Sequence, residues 1–340
     1  MLVFVSAYPS SKNEKDGMIR RIKSIDEVFQ DKNRIYLELS WRKYIFLSKS
    51  EYVSDKVTVY RANAFIYIPF LLYLMKKAQI IYVHSVMNAM KIIYAYLFLG
   101  KIITDMHGVG SEELRLLGRP LWKIKICSLS EYITVRNSYR IIVVTHNMGT
   151  FYQNTYGIKK ERIIFISIFN RKTVQNNYNR LYSAIYCGGI HKWQCIDELK
   201  LLIKKTIHKY HWTVLTGTPK EFSSLENIEL KTVSNSEVYN YYKKNTFGIV
   251  LRNNDIVNRV ACPTKLIEYI QCGLLPVVKS PYIGDFFELG YNYITEEAFA
   301  SGNIPRLEDI QTMTENNLVI LNKIYAETDA GLLTLKRIIG

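Results

Sequence analysis

The stretch Phe247–Val278, FGIVLRNNDIVNRVACPTKLIEYIQCGLLPVV, decides the fold. An apolar strand, Phe247–Leu251, runs into Arg252 and a polar loop. Cys262-Pro263-Thr264 then leads into a helix, Thr264–Gln271, which stops at Gly273, a residue that readily ends helices. Pro276–Val278 reads as the next strand. A strand, a crossover helix and a second strand make the repeating unit of parallel sheets.

The start of that helix carries residues with chemical potential. Thr264 or Cys262 is placed to cap it, with backbone N–H groups left facing a ligand. Such a helix start is a ready anion site. Lys265 lies in the first turn, where a cation opposes the helix dipole. It makes more sense with an anion, such as a diphosphate, beside it. Glu268 follows one turn later on the same face. A carboxylate there suits two vicinal hydroxyls, as on a ribose. The plain alternative is an ordinary helix with Lys265 and Glu268 in solvent.

Outward from this segment, apolar runs alternate with helical periodicity. In the second half, Ala184–Cys187 is strand-like and ends in Gly188-Gly189. Cys195–Tyr210 is helical, with Ile196, Leu199, Leu202, Ile203 and Ile207 on one face, and Trp212–Thr216 is a strand. Asn316–Tyr325 reads as a last helix. Asn170–Arg180 is polar, basic and without period, as a linker would be. In the first half, Leu2–Ser6, Arg34–Leu39, Val57–Arg61, Ile80–His84, Ile102–Asp105 and Ile141–His146 read as strands. Met18, Ile22, Ile25 and Phe29 recur at helical spacing, and further helices are expected around 70–77, 89–99 and 128–136. The reading is α/β, with residues 1–169 and 184–315 as two Rossmann-like domains, 170–183 as linker and 316–340 as a helical region at their junction. Ligands of such sheets bind at the carboxyl ends of the strands.

Composition narrows the partners. Of 340 residues, 48% are hydrophobic and 22% charged, a globular balance. The net charge of +15 attracts nucleic acid, an anionic membrane surface or a phosphorylated small molecule alike. No apolar run reaches the roughly 18 residues that span a bilayer, and Met1–Gly17 lacks the pattern of a signal peptide. The five cysteines have no CxxC spacing, so neither a zinc site nor a disulfide framework is indicated. A cytoplasmic protein with reduced thiols is the expectation. No DxD, HExxH, Walker or GxSxG pattern occurs. Phe65–Lys77, FIYIPFLLYLMKK, reads as a buried helix or as a segment at a membrane interface.

PTKLIEYIQCGLLPVV resembles the (S/T)-K-x-x-E segment of retaining glycosyltransferases of family four, which have the GT-B fold of two facing Rossmann-like domains. MLVFVSAYPSSKNEKDGMIRRI resembles the family's first strand and glycine loop, with Gly17 before a helix. ITDMHGVGSEE, Ile103–Glu113, resembles its strand-end histidine segment, and YCGGIHKWQCIDELKLLI the opening of its nucleotide domain. The resemblance spans Leu2 to about Val278. It implies transfer of a sugar, with retention, from a nucleotide-diphosphate donor such as a UDP-sugar. The acceptor would be a lipid-linked or oligosaccharide hydroxyl in capsule or O-antigen assembly. The enzyme would be metal-independent, need no cofactor and contact an anionic membrane peripherally. It assigns catalysis to His107, Lys265 and Glu268. Donor binding falls to Gly17, Gly188, Gly189, Lys192, Gln194, Arg252, Asn258, Pro263 and Thr264, together with Lys265 and Glu268.

Two departures stand out. Val260 occupies the place of the first glutamate of the family's E-x7-E pair, and backbone amides of Ala261–Thr264, or Asn258 and Arg259, are the substitutes at hand. Gly189 and Gln194 stand where the family often has Arg and Lys, so Lys192, Lys265 or Arg252 must carry the positive charge. A nucleotide-sugar epimerase of the same fold and a non-catalytic GT-B subunit are the alternatives. A nucleic-acid binder rests on charge alone, without a recognition motif. The remaining basic residues, including Lys12, Lys15, Arg20, Arg21, Lys76 and Lys77, are expected on an acceptor-docking surface of the first domain.

Overall fold

A computed structural model describes residues 1–10, 17–54, 56–167 and 182–340. The chain divides into two compact units, Met1–Ser167 with Glu327–Gly340, and Ile168–Ala326. The expected linker lies outside the described residues up to residue 181, as do Lys12 and Lys15.

The first unit is built on an eight-stranded sheet. Its strands are β1 (Leu2–Val5), β2 (Arg34–Ser40), β3 (Ser48–Ser54), β4 (Val57–Asn63), β5 (Ile80–His84), β6 (Ile102–Met106), β7 (Arg140–Val143) and β8 (Ile163–Phe165). Their order is β3-β4-β2-β1-β5-β6-β7-β8, parallel throughout except for β3, which pairs antiparallel with β4 at the edge. The helices are α1 (Gly17–Asp26), α2 (Ile68–Lys77), α3 (Val86–Ala89), α4 (Ala95–Phe98), α5 (Gly110–Leu116), α6 (Leu121–Asn137) and α7 (His146–Tyr156). Strand residues alternate between two cores, as the period of two requires. Leu2 and Phe4 pack with Ile19, Ile22 and Ile25 of α1 on one face. Val3 and Val5 pack with Leu71, Leu74 and Met75 of α2 on the other. Both faces are covered, so the central strands read as continuous apolar runs.

The second unit holds a six-stranded, wholly parallel sheet of order β11-β10-β9-β12-β13-β14. The strands are β9 (Ser183–Cys187), β10 (His211–Leu215), β11 (Glu229–Lys231), β12 (Phe247–Val250), β13 (Leu275–Val278) and β14 (Ile294–Thr295). Helices α8 (Ile196–Thr206), α9 (Val238–Tyr242), α10 (Ile256–Val260), α11 (Thr264–Gln271) and α12 (Glu296–Ser301) accompany them. Tyr269 of α11 lies flat against β12: a Cβ on Gly248 would fall 2.3 Å from its ring. Only glycine lets helix and strand approach so closely.

The last helix, α13 (Leu307–Ile339), is longer than the expected Asn316–Tyr325 and contains the boundary expected at 315/316. Its residues from Glu327 onward belong to the first unit, where Leu335 and Ile339 join the α1 core. A Cβ on Gly331 would lie 2.0 Å from the Phe165 carbonyl oxygen. Among the described residues, no helix is long and apolar enough to cross a membrane.

Candidate functional site

Two clusters of polar residues sit at the carboxyl ends of strands, one in each unit. In the second unit, the turn Lys192–Gln194 ends in Cys195, held in the left-handed region at φ 49° before α8 begins. This turn buries Gln194, whose Oε1 accepts a hydrogen bond from Lys265 Nζ at 2.6 Å. The Lys265 ammonium lies 4.1 Å from the centroid of the Tyr186 ring. Tyr186 is fixed in turn, donating to the Gly189 carbonyl at 2.6 Å. Gly188 is held at φ 156°, a conformation L side chains rarely adopt, and a Cβ there would crowd Lys265 Nζ at 3.0 Å and Tyr186 Oη at 3.3 Å.

Lys265 is therefore buried, not in solvent. Burial, and next the charge of Arg252, push its ammonium down to about 7. Among the described residues no carboxylate is in ion-pair contact with it, although the charge of Glu268 draws its value upward. Arg252, also buried, donates to Asn258 Oδ1 at 3.0 Å, and burial lowers its guanidinium only to about 10, so it stays charged. Asn258 is fully enclosed and engaged: its Nδ2 donates to the Asn253 carbonyl and to Asp255 Oδ2, both at 3.0 Å. Pro263 stands at the N-cap position of α11, and no side chain caps the helix. The expected capping by Thr264 or Cys262 is thus corrected: proline fixes the entry and its own carbonyl receives the Leu266 and Ile267 amides. Glu268, half-buried, accepts from the Tyr242 hydroxyl at 3.0 Å. Lys192 is exposed at the turn and takes no part in this cluster. Val260 is buried, so its side chain offers nothing to a ligand.

In the first unit, His107 follows β6 and stacks on His84, which ends β5, with ring centroids 4.5 Å apart. Beneath them lies an ion pair that sequence reading missed. Asp105 accepts from Arg21 Nε at 2.9 Å and from Arg21 Nη2 at 3.1 Å, while Arg21 Nη1 donates to the Ser167 carbonyl at 2.7 Å. Arg21 is thus buried in the fold, which corrects its expected place on a docking surface. Tyr82 Oη donates to Asp105 Oδ2 at 2.5 Å and lies 3.3 Å from His84 Nδ1. Burial drives the Asp105 carboxyl upward, but Arg21's charge, the nearby His84 at 3.8 Å and the hydrogen bonds from Arg21 outweigh it and hold the group well below the ordinary range. Burial, then the neighbouring His84, push His107 down to about 3, so it is a neutral imidazole. Among the described residues, the Nδ1 of His107 is enclosed without a hydrogen-bond partner. Gly17 opens α1, one turn before Arg21.

His84, Asp105 and His107 bring metal-ligand atoms within 4.8 Å of one another. A dication there would compete with Arg21 and Tyr82 for both Asp105 oxygens and face the guanidinium charge. The spacing of Asp105 and His107, two apart at a strand end, was the available signal for this cluster. Nothing in the sequence paired Arg21 with it across 84 positions.

No family model and no curated protein matches the sequence. Solved structures do. Sucrose-phosphate synthase from Thermosynechococcus elongatus aligns over 99% of this chain and 97% of its own, with TM-score 0.70 and 11% identity. HepE from Anabaena, in complex with UDP and glucose, aligns over 98% of both chains, with TM-score 0.66 and 11% identity. Trehalose 6-phosphate synthase from Burkholderia multivorans aligns over 98% of both, with TM-score 0.63 and 10% identity. The chain shares the α/β fold of these GT-B structures, two Rossmann-like units on parallel sheets.

Proposed function

We propose that this chain is a retaining glycosyltransferase that moves a sugar from a nucleoside-diphosphate donor, a UDP-sugar, to a hydroxyl of a lipid-linked glycan acceptor in cell-surface polysaccharide assembly. One observation carries the reading. Lys265 is a buried amine, held at about 7, with an amide oxygen and a ring in contact with it, beside a buried cation, Arg252, at the start of α11. Full protonation of Lys265 beside Arg252 is costly unless an anion completes the pair. A diphosphate supplies that charge. The likeness to HepE, whose structure holds UDP and glucose, supports the same donor class.

In this reading Lys265, Arg252 and the α11 amides stabilise the negative charge that develops on the leaving diphosphate. Glu268, oriented by Tyr242, receives the ribose hydroxyls. Neutral His107 acts on the transferred sugar as a hydrogen-bonding group, and Gly17, the first residue of α1, adds no side chain at that helix start. No metal is assigned, since the cations already carry the charge. The net charge of +15 and exposed lysines such as Lys76 and Lys77 support peripheral contact with an anionic membrane.

A second reading, a GT-B subunit that binds the donor without turning it over, is favoured by Val260. Of the expected substitutes, Asn258 is consumed internally and Arg259 donates to Asn254 Oδ1 at 2.7 Å. Incubation with a panel of nucleotide sugars, with and without membrane lipid extract, separates the two by release of free nucleotide diphosphate. Acceptor-dependent release that Glu268→Ala abolishes is the expected result. Tight binding without release under any condition favours the subunit, and equal turnover with and without lipid removes the lipid acceptor.

A further inference from the structure

We infer that the loops following β2 and β4 form a rigid apolar platform that docks this protein onto an anionic phospholipid bilayer. Four large side chains stand in solvent there: Phe46 is 87% exposed, Phe65 64%, Ile45 61% and Ile66 54%. Trp41 joins them from the same loop at 39%. Folding does not need these residues outside, so their exposure calls for a partner.

The platform is held in place by buried polar groups. Asn63, which ends β4 and is 5% exposed, donates its Nδ2 to the Trp41 and Lys43 carbonyls at 3.2 and 3.3 Å. Its Oδ1 accepts from the Phe65 and Ile66 amides at 3.0 and 3.2 Å. One side chain thus clamps both loops. Tyr67 adds a second clamp: its hydroxyl accepts from the Leu47 amide at 2.8 Å and donates to the Ile45 carbonyl at 2.8 Å. Tyr44 is carried in the left-handed region at φ 63°, with its carbonyl receiving the Asn63 amide at 3.0 Å. The apolar side chains are therefore fixed outward by a hydrogen-bonded frame rather than by chance.

Chemistry selects the bilayer as occupant. Exposed Arg42 and Lys43 lie within the apolar loop, and neither 40–48 nor 63–68 contains an acidic residue. Trp, Tyr and Phe beside Arg and Lys match the interface between anionic headgroups and acyl chains. Position supports the same partner. Strands β2 and β4 run parallel to β1, β5 and β6, so both loops lie on the sheet edge that carries His84 and His107. Four strand steps separate β4 from β6, roughly 19 Å at about 4.8 Å per step. A bilayer on this edge would present the hydroxyl of a lipid-linked acceptor on the side of the sheet where β5 and β6 end. The inference deepens the reading above and rests on it for the acceptor alone.

The test is sedimentation of the full chain with vesicles of phosphatidylglycerol and phosphatidylcholine at low salt, against vesicles of phosphatidylcholine only. Binding is expected to the anionic vesicles, at least about tenfold weaker in Ile45→Glu/Phe46→Glu and in Phe65→Glu, with UDP binding unchanged. Brominated lipids should quench Trp41 emission, so the quenching is lost in Trp41→Phe and kept in Trp122→Phe. The comparison matters because α6 exposes a second basic-apolar stripe, Trp122, Ile126 and Leu129. The inference is overturned if the parent ignores anionic vesicles, if quenching is lost only in Trp122→Phe, or if the platform variants instead convert a dimer to a monomer. UDP binding is read independently, so its failure would remove the donor assignment and leave the platform standing.

Discussion

Replacing Lys265 by methionine tests the donor site through stability and binding together. Lys265 has a folded value near 7 against an ordinary 10.5. A lowered lysine means that the unfolded chain binds the proton more tightly, so stability rises with pH between about 7 and 10.5 and is flat below. At pH 7 the penalty for carrying this group is about 4 kcal/mol. Methionine keeps the length and removes that penalty, but leaves Gln194 Oε1 without its donor, a loss of roughly 1–3 kcal/mol. The variant should be more stable by about 2 kcal/mol, which at roughly 2–4 °C per kcal/mol raises the melting temperature of the second unit by about 4–8 °C. The same change removes a charged hydrogen bond to the diphosphate worth roughly 1.5–3 kcal/mol, so UDP affinity should fall about 10- to 150-fold. Scanning fluorimetry and calorimetry read the two effects. Anion binding should raise the lysine's affinity for its proton, so UDP binding to the parent near pH 7.5 should take up a fraction of a proton, seen as a dependence on buffer ionisation enthalpy. The Lys265→Met variant should take up none. A variant that melts lower and binds UDP as tightly as the parent would refute the reasoning.

Three further outcomes are expected. Asp105→Asn leaves Arg21 buried without its counter-charge and should cost about 3–5 kcal/mol in urea unfolding of the first unit; a loss under about 1 kcal/mol would contradict the buried pair. Gly331→Ala gains about 1 kcal/mol of helix propensity, yet should lower the melting temperature because its Cβ would strike the Phe165 carbonyl, 2.0 Å away; a rise would show that α13 does not lie so close. Tyr242→Phe removes one hydrogen bond to Glu268 and should weaken UDP binding about fivefold while changing deoxy-UDP binding little; equal losses for both nucleotides would sever Glu268 from the ribose.

The parts of the fold legible in sequence were those with periodicity. Phe247–Val278 yields β12, α11 and β13 because its apolar residues follow strand, helix and strand spacing in turn. Edge strand β3, SKSEYVS, carries no alternation, since an edge needs little burial and antiparallel pairing here is set by β4. The expected helix at 89–99 breaks into α3, a short 3-10 turn and α4, where tertiary packing overrides an apolar run that suits several conformations. At the site, Lys265, Arg252 and Glu268 are nameable from local pattern, and Gln194 only through the family resemblance. Their environment is not: whether Lys265 sits in solvent or over Tyr186 depends on a turn 71 residues earlier. Arg21, Tyr82 and Asp105 were hidden for the same reason, as partners joined only by the sheet.

A nucleoside diphosphate at the start of α11, against β9 and β12, as proposed above, would shield the backbone amides around it. Amide hydrogen exchange of the full chain, with and without saturating UDP-glucose, tests this at those amides. Protection is expected to concentrate at residues 186–189, 252 and 261–268 and to be lost in Lys265→Met and Glu268→Ala. No protection there, or protection confined to other segments, would contradict the proposal.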